Sequence, residues 1–169
     1  PRPHDRRGVQ PPPAAGRDIP TDLTAVAARL VRELSDAARA RGQQIRLECP
    51  PRPVDVPMSA ALTAVLLRNL LDNALRYGPD GGTVAVQLLP AQATHGVRLC
   101  VEDAGPGLSD ADLARLGERF FRVLGSGQSG SGLGWSIVRR LARLHGLDVA
   151  LDRSPTLGGL RVTVRWPAQ

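Results

Sequence analysis

The sequence predicts an α+β domain: a two-layer sandwich of a mixed, mostly antiparallel sheet packed on about three helices. Two observations support this fold class. Long segments with apolar residues at helical spacing alternate with short segments in which every second residue is apolar. The short segments near the middle of the chain and at its end are joined by glycine-containing turns, which favours antiparallel pairing. With 169 residues, 42% of them hydrophobic, the chain is long enough for one compact domain.

The first structured element is an amphipathic helix. Residues 1–20 are rich in proline and arginine and lack periodicity, so we interpret them as a flexible linker before a domain of residues 21–169. A helical pattern begins at Asp22 and ends at Gly42. Its predicted inner face comprises Leu23, Val26, Leu30, Leu34 and Ala37. "QIRLEC" then alternates as a strand does, and prolines between residues 50 and 57 predict a loop.

The second half of the chain alternates helices and strands. A helix is predicted from about Ser59 to Tyr77, followed by the strands "TVAVQLL" and "GVRLCVED" as a hairpin. A short helix from about Asp110 to Arg119 precedes a loop rich in glycine and serine. The helix "WSIVRRLARLHG" comes next, before the final strands "LDVALDRS" and "GLRVTVRWP". The inner face predicted for this helix comprises Ile137, Val138, Leu141 and Leu144.

Composition excludes several functions. The formal charge is +6 and all 22 basic residues are arginine, so the absence of lysine excludes a Walker-type phosphate loop and Schiff-base chemistry. The arginines are scattered without interleaved aromatics, and we predict no nucleic-acid binding. Cys49 and Cys100 are interpreted as reduced core residues. No apolar run approaches the length of a membrane span, so this part of the protein is predicted not to cross a bilayer.

A polar stripe on the second long helix is the first functional signal. In "LLRNLLDNALRYGP", Asn69 and Asn73 are one helical turn apart, and Arg76 continues the stripe. Asparagine is a poor helix former and is unfavourable to bury without partners. The stripe therefore requires either internal hydrogen bonds or a polar ligand. Arg68 and Asp72 lie on another stripe, where their spacing predicts a surface ion pair.

Two glycine-rich segments add to this signal. In "VEDAGPG" a strand ends at Asp103, whose carboxylate is able to accept a bond from an exocyclic amine, and two glycines allow a flat ligand to lie against bare backbone. The alternative is an ordinary Asp-Gly turn. In "GSGLGW" alternating glycines open a helix whose free N–H groups suit phosphate, although a flexible linker explains that segment equally well.

The order of these segments resembles the ATP-binding domain of bacterial sensor histidine kinases. The wider family includes gyrase B, the heat-shock chaperone of about ninety kilodaltons and MutL, and its fold is called Bergerat-type. "NLLDNALRYG" resembles the N box, "DAGPG" the first glycine box, "ERFFR" the F box and "GSGLG" the second glycine box. The similarity covers residues 20 to 167 in the family's order.

The resemblance implies a role for each matching position. Asn73 would coordinate Mg²⁺ that bridges the phosphates of ATP, with Asn69 in support. Asp103 would accept the adenine amino group, Gly105 and Gly107 would admit the base, and Leu108 would line the pocket. Arg76 would face phosphate and Tyr77 would stack beside adenine. Residues 121–130 would form a lid from which Arg122 reaches the terminal phosphates. The remaining implied ATP-binding residues are Phe121, Gly130, Ser131, Gly132, Leu133 and Gly134.

The resemblance also implies phosphoryl transfer rather than hydrolysis. Relatives that activate water carry a glutamate at the position of Asn69, and an amide does not accept a proton at neutral pH. His4, His95 and His145 all lack the neighbours of the family's phosphoacceptor histidine, so no catalytic residue is predicted in this fragment. The implied partners are a histidine-containing dimerisation domain of the same parent and a response regulator. The parent would be a bacterial inner-membrane sensor with this part in the cytoplasm.

Two alternatives stay open from the sequence. One is an anti-sigma-type serine kinase of the same fold, and the other is an interaction module that has lost nucleotide binding. Trp135 favours the interaction module, because members of the family usually carry a smaller or aliphatic residue at this position. Its indole either narrows the phosphate end of the pocket or packs beneath the lid.

Overall fold

The computed structural model describes residues 19–115 and 133–168. The described helices and strands alternate along the chain. In chain order they are β1 (Thr21–Asp22), α1 (Leu23–Ala40), β2 (Gln44–Glu48), β3 (Asp55–Val56), α2 (Ala60–Tyr77), β4 (Thr83–Leu89), β5 (Arg98–Glu102), α3 (Asp110–Arg115), α4 (Leu133–His145), β6 (Asp148–Arg153) and β7 (Leu160–Arg165).

The main sheet confirms the predicted fold class. Its five strands are in the order β2-β4-β5-β7-β6. Only the pair β2 and β4 is parallel, because α2 lies in the connection between them; the other three pairs are antiparallel. The hairpin predicted from "TVAVQLL" and "GVRLCVED" is present as β4 and β5, with Val86 opposite Val101.

The helices cover one face of this sheet. Alternate residues of β4, such as Val84 and Val86, are buried in the core that the strands share with α1, α2 and α4. α2 contacts both α1 and α4, so it is the central helix of the layer. Its first turn is capped by Ser59, whose hydroxyl accepts a hydrogen bond from the amide of Leu62. This central position holds the asparagine-bearing helix over the middle of the sheet.

Some predicted inward positions are wrong. In α1 the buried alanines are Ala27 and Ala38, whereas Ala37 is exposed. In α4 only Val138, Leu141 and Ala142 are buried, while Ile137 is 38% and Leu144 is 70% exposed. α4 packs mainly on α2 and to a smaller extent on β6, an edge strand of the sheet, so only the stripe of this helix that faces these two elements is buried.

A second, two-stranded sheet was not predicted. β1 pairs antiparallel with β3, with Thr21 opposite Val56. β3 lies within the proline-rich segment interpreted as a loop, and two-residue strands are too short to show a period-2 pattern. The sheet joins the start of the domain to the segment before α2, and the amide of Leu23 also donates to the carbonyl of Val54 at 2.8 Å. The linker boundary at residue 20 stays a prediction.

Several surface features complete the comparison with the sequence. Cys100 is buried as predicted, but the core assignment of Cys49 is wrong because that cysteine is exposed. Arg68 pairs with Glu33 of α1 at 3.4 Å rather than with Asp72, so this ion pair links two helices. Within residues 19–115 and 133–168, no helix is both long and apolar enough to cross a membrane.

Candidate functional site

A buried carboxylate lies where β5 ends. Asp103 is 4% exposed, and its Oδ1 accepts hydrogen bonds from the amides of Gly105 at 2.8 Å and Leu160 at 3.2 Å. Burial raises the pKa of this carboxyl, although the two backbone hydrogen bonds act in the opposite direction. Within the described residues no donor pairs with Oδ2. This oxygen is not fully buried, so it is accessible to a ligand. Asp103 thus offers one free acceptor.

Glycines allow the backbone to approach this carboxylate closely. A Cβ on Gly105 would lie 2.6 Å from the carbonyl oxygen of Tyr77, and one on Gly159 would lie 2.2 Å from Oδ1 of Asp103. Gly107 has φ +68°, a conformation that disfavours other residues. The space around Asp103 is therefore formed by bare backbone from the end of α2, the segment after β5 and the turn before β7.

The two asparagines meet the start of α4. The amide nitrogen of Asn69 donates to the carbonyl of Val65 at 2.7 Å, which orients its Oδ1 away from that bond. A Cβ on Gly134 would lie 2.9 Å from Oδ1 of Asn69 and 3.6 Å from Oδ1 of Asn73. Both amide oxygens therefore face the same point beside the first turn of α4. In the described part of the chain, the Asn73 side chain makes no hydrogen bond, so its oxygen is available to a ligand.

These oxygens satisfy a simple test for a hard cation. Mg²⁺ prefers oxygen ligands and keeps several waters, so two amide oxygens suit it only when phosphates supply further ligands. The described residues contain no cluster of three or more histidine, cysteine or acidic side chains that would hold a metal unaided. The donor set fits a magnesium ion that arrives with a polyphosphate.

Other predicted site residues occupy different surroundings. Tyr77 is 41% exposed, and its backbone carbonyl is the part that approaches Gly105. Arg76 is half-buried and lines a groove on the α1 side of α2, together with Asp72. Leu108 is half-buried beyond the glycine turn, and Leu133 is exposed at the start of α4. Their contacts with a nucleotide stay predictions.

The predicted lid and part of the second glycine box lie outside the described residues. This applies to residues 121–130, including Phe121 and Arg122. It also applies to Gly130, Ser131 and Gly132.

Sequence reasoning missed two backbone groups that form part of the site. Gly159 donates its amide to the carbonyl of Asp103 at 3.2 Å, and Leu160 donates to the carboxylate itself. The turn that carries them is held by Ser154 and Thr156, whose hydroxyls both donate to the carboxylate of Glu102. The only sequence signal is the glycine pair before the last strand, which by itself indicates no more than a turn.

Trp135 is partly buried and packs against the hydrophobic core. The predicted lid lies outside the described residues, so packing of the indole beneath it stays a prediction. It lies on the stripe of α4 that also carries the buried Val138 and Ala142. Its ring N–H is buried without a hydrogen-bond partner. The indole is therefore a partly buried side chain in the first turn of α4, next to the glycine that the asparagine pair faces.

Most of the chain resembles proteins of one family. The family model described as histidine kinase-, DNA gyrase B-, and HSP90-like ATPase matches residues 60–169. The sensor protein QseC of Salmonella typhi is 40% identical over 136 residues, which are 80% of this chain and 29% of that protein. The sensor-type histidine kinase PrrB of Mycobacterium bovis is 34% identical over 150 residues, 88% of this chain and 32% of that protein. The chain thus spans less than a third of the length of these relatives.

A solved structure shows the same arrangement. The mycobacterial sensor histidine kinase MprB superposes with a TM-score of 0.73 and 28% identity, covering 89% of this chain and 97% of that chain.

Proposed function

This chain belongs to the histidine kinase-, DNA gyrase B- and HSP90-like ATPase family, and from that membership we propose that it is the ATP-binding catalytic domain of a sensor histidine kinase. In this role the domain binds ATP and donates its γ-phosphate to a histidine. The receiving histidine lies on a separate dimerisation domain of the parent, and a response regulator takes the phosphoryl group afterwards. The parent is a sensor of the bacterial inner membrane, with this domain on the cytoplasmic side.

The free oxygen of Asp103 is the observation that carries the proposal. One carboxylate oxygen is held by the amides of Gly105 and Leu160, so the direction of the other is fixed by the backbone. A fixed, partly desolvated acceptor beside bare glycine backbone suits the exocyclic amine of a flat base. A base with an oxygen at that position would place two acceptors face to face, so adenine is preferred over guanine or hypoxanthine.

The asparagine pair holds the phosphate end. Oδ1 of Asn73 and Oδ1 of Asn69 face one point at the start of α4, one helical turn or more from the adenine end. Mg²⁺ bound there would neutralise phosphate charge and orient the γ-phosphate for in-line attack. From the resemblance we infer that Tyr77 and Leu108 flank the base. The resemblance alone assigns Arg76 to phosphate, because its side chain lines the groove on the α1 side of α2. The family resemblance assigns Phe121, Arg122, Gly130, Ser131, Gly132, Leu133 and Gly134 to phosphate binding, and of these the structure describes only Leu133 and Gly134.

Transfer to another protein is favoured over hydrolysis. Asn69 has its amide nitrogen committed to the carbonyl of Val65, and neither atom of the amide accepts a proton at neutral pH. The site therefore contains no group in this position that would activate water. His95 lies in the loop between β4 and β5 with its ring 2.6 Å from the Thr94 hydroxyl, and we do not assign it as the acceptor.

Calorimetric titration tests the nucleotide site. We expect the chain to bind ATP more tightly with Mg²⁺ than without it. Asp103→Asn keeps an oxygen for the two backbone amides but replaces the free acceptor with a donor, so ATP affinity should fall about 10- to 100-fold. Asn73→Ala should remove the Mg²⁺ dependence. Asp152→Asn is the matched control, because this carboxylate pairs with Arg161 on the other face of the sheet. A folded protein without measurable ATP binding would overturn the proposal.

Phosphoryl transfer separates the histidine kinase from other kinases of the same fold. With labelled ATP, the chain alone should stay unlabelled, and an added dimerisation domain from its own parent should acquire an acid-labile phosphate. Acid-stable label on a serine of any partner would contradict the assignment. Release of phosphate at a rate independent of the added domain would indicate an ATPase instead.

A further inference from the structure

The turns that follow α1 and α2 are joined by a set of hydrogen bonds. Arg41 donates to the carbonyl of Leu75 at 2.6 Å and to that of Gly78 at 3.3 Å, and its Nε contacts Asp80 at 2.8 Å. The carbonyl of Arg41 accepts from the amide of Gly81 at 2.9 Å. Side chain and backbone of one residue thus bind both sides of the turn at the end of α2.

Gln43 contacts the same turn from the interior. It is 2% exposed, and its Nε2 lies 2.9 Å from the carbonyl of Leu75, 3.2 Å from that of Gly78 and 3.2 Å from that of Pro79. Its Oε1 is buried without a partner. An unpaired amide oxygen in the interior is unfavourable. The hydrogen bonds that Nε2 donates are therefore the stabilising contribution of this side chain.

We call Arg41 and Gln43 the α2 clamp. The last carbonyls of a helix have no partners within the helix, and cationic or amide donors there satisfy them and favour the negative end of the helix dipole. The clamp binds Leu75 and Gly78, which bracket the end of α2 at Tyr77. A Cβ on Gly78 would lie 2.9 Å from the carbonyl of Ala74 and 3.3 Å from Nε2 of Gln43, so only glycine lets the turn lie this close to the clamp.

A short chain of contacts runs from the clamp to the carboxylate. The carbonyl oxygen of Tyr77, between the two clamped carbonyls, lies against Gly105, where a Cβ would approach it to 2.6 Å. The amide of Gly105 in turn donates to Oδ1 of Asp103 at 2.8 Å. The position of the α2 terminus therefore sets the position of the backbone that orients the free oxygen of Asp103.

We propose that Arg41 and Gln43 are positioning residues for base recognition: they fix the end of α2 against Gly105 and thereby aim Asp103 at the adenine amine. The inference rests on the proposed function, because it assumes that Asp103 reads the base. The clamp residues do not touch the nucleotide. Their loss should weaken discrimination between bases while leaving the phosphate end, held by Asn69 and Asn73, intact.

The test compares ATP with inosine triphosphate, which carries an oxygen in place of the adenine amine. Dissociation constants for both nucleotides with Mg²⁺ are measured for wild type, Arg41→Met and Gln43→Met. We expect the preference for ATP to fall about tenfold in each variant, since a misaligned hydrogen bond loses about that factor. Arg41→Lys should show a smaller fall than Arg41→Met, because its single nitrogen is able to keep a contact with one carbonyl but is unable to bridge both carbonyls and Asp80.

Two matched controls separate the clamp from its surroundings. Asp80→Asn removes the ion pair of Arg41 but leaves both of its carbonyl contacts, and Gln44→Met alters the exposed neighbour of Gln43. Both should keep the wild-type preference. Thermal unfolding of every variant is recorded, because a purely structural role would lower stability and weaken the two nucleotides equally.

The outcomes are distinct. A reduced preference in the clamp variants with an unchanged one in both controls supports the inference. An unchanged ratio in folded Gln43→Met and Arg41→Lys overturns it, whatever happens to stability, and these two variants decide the question if Arg41→Met does not fold. If wild type binds both nucleotides equally, the assignment of Asp103 fails first, and the proposed function fails if it binds neither.

Discussion

Asp103 has a structural role in the fold and, in the proposed function, a recognition role as well. Its Oδ1 joins the segment after β5 to β7 through the amides of Gly105 and Leu160, while Oδ2 has no donor within the described residues. Removing the whole carboxyl would therefore leave two backbone amides unpaired, and the variant would lose stability as well as recognition. Asparagine is the informative substitution, because it keeps the structural oxygen and changes only the other atom.

The raised pKa of Asp103 predicts a pH-dependent stability. Between the ordinary carboxyl value of 3.8 and the higher pKa in the folded protein, the native carboxyl holds a proton that the unfolded one has released. The free energy of unfolding should therefore fall as the pH rises through that window. In Asp103→Asn this contribution is absent, so the difference in Tm between variant and wild type should shift in favour of the variant as pH increases.

Thermal unfolding in buffers from about pH 4 to pH 8 measures this difference, since other carboxylates contribute to both proteins and cancel. Asp152→Asn, a change of the same kind at an exposed carboxylate, should show a nearly constant difference. A constant difference for Asp103→Asn as well would mean that burial does not perturb this carboxyl.

At the scale of elements, α2 is the part of the fold that joins the two ends of the site. It presents Asn69 and Asn73 to the start of α4 and, at its terminus, the carbonyl of Tyr77 to Gly105. Its apolar residues hold it between α1 and α4 in the middle of the helical layer. The asparagine stripe is thus directed by packing on the other sides of the same helix.

At Gly134, helix stability and ATP binding are predicted to favour different residues. Alanine is more favourable than glycine by about 0.8–1 kcal/mol in a helix interior, and part of this difference applies in the first turn of α4, so Gly134→Ala should keep or slightly raise Tm. Its Cβ would lie 2.9 Å from Oδ1 of Asn69 and displace that side chain, and the affinity for ATP with Mg²⁺ should fall about tenfold. Affinity for adenosine, which lacks phosphates, should not change.

Ser136→Ala is the control, since it replaces another α4 residue whose hydroxyl bonds only to the carbonyl of Leu133. It should leave ATP affinity unchanged in calorimetry. Equal effects of both substitutions on ATP binding would show that the start of α4 responds to any change, and not to contact with Asn69.

At the scale of the whole molecule, the small β1–β3 sheet attaches the start of the domain to the segment before α2. Asp22 has a second role there, because its carboxylate caps α1 by accepting from the amide of Ala25 at 3.0 Å. Hydrogen bonds therefore join three parts of the domain: β1, the start of α1 and the proline-rich segment that contains β3.

Truncation tests this view and the predicted linker together. Deleting residues 1–18 should leave Tm unchanged if they are a linker, whereas deleting residues 1–22 should destabilise the domain by about 1–2 kcal/mol through loss of the α1 cap alone. Chemical denaturation of the two truncated chains beside the full chain measures both effects. A large loss on removing only residues 1–18 would contradict the linker interpretation.

The sequence by itself determined the main outline of this protein. Periodicity located α1, α2, α4 and the hairpin of β4 and β5 because hydrophobic spacing records which side of an element is buried. The order of polar and glycine-rich segments indicated the family, which the match over residues 60–169 confirms. Each of these signals lies within one element or turn, so it is detectable from the sequence alone.

The tertiary structure decided what depends on contacts between distant segments. Gly159 and Leu160 become partners of Asp103 only when β7 pairs with β5, and Arg41 and Gln43 reach the end of α2 only after α1 and α2 have packed. The exposure of Ile137 and Leu144 likewise depends on how much of α4 is covered by α2 and by the edge of the sheet. These contacts join segments that are far apart in sequence. They form only after folding, so the spacing of residues within one segment does not predict them.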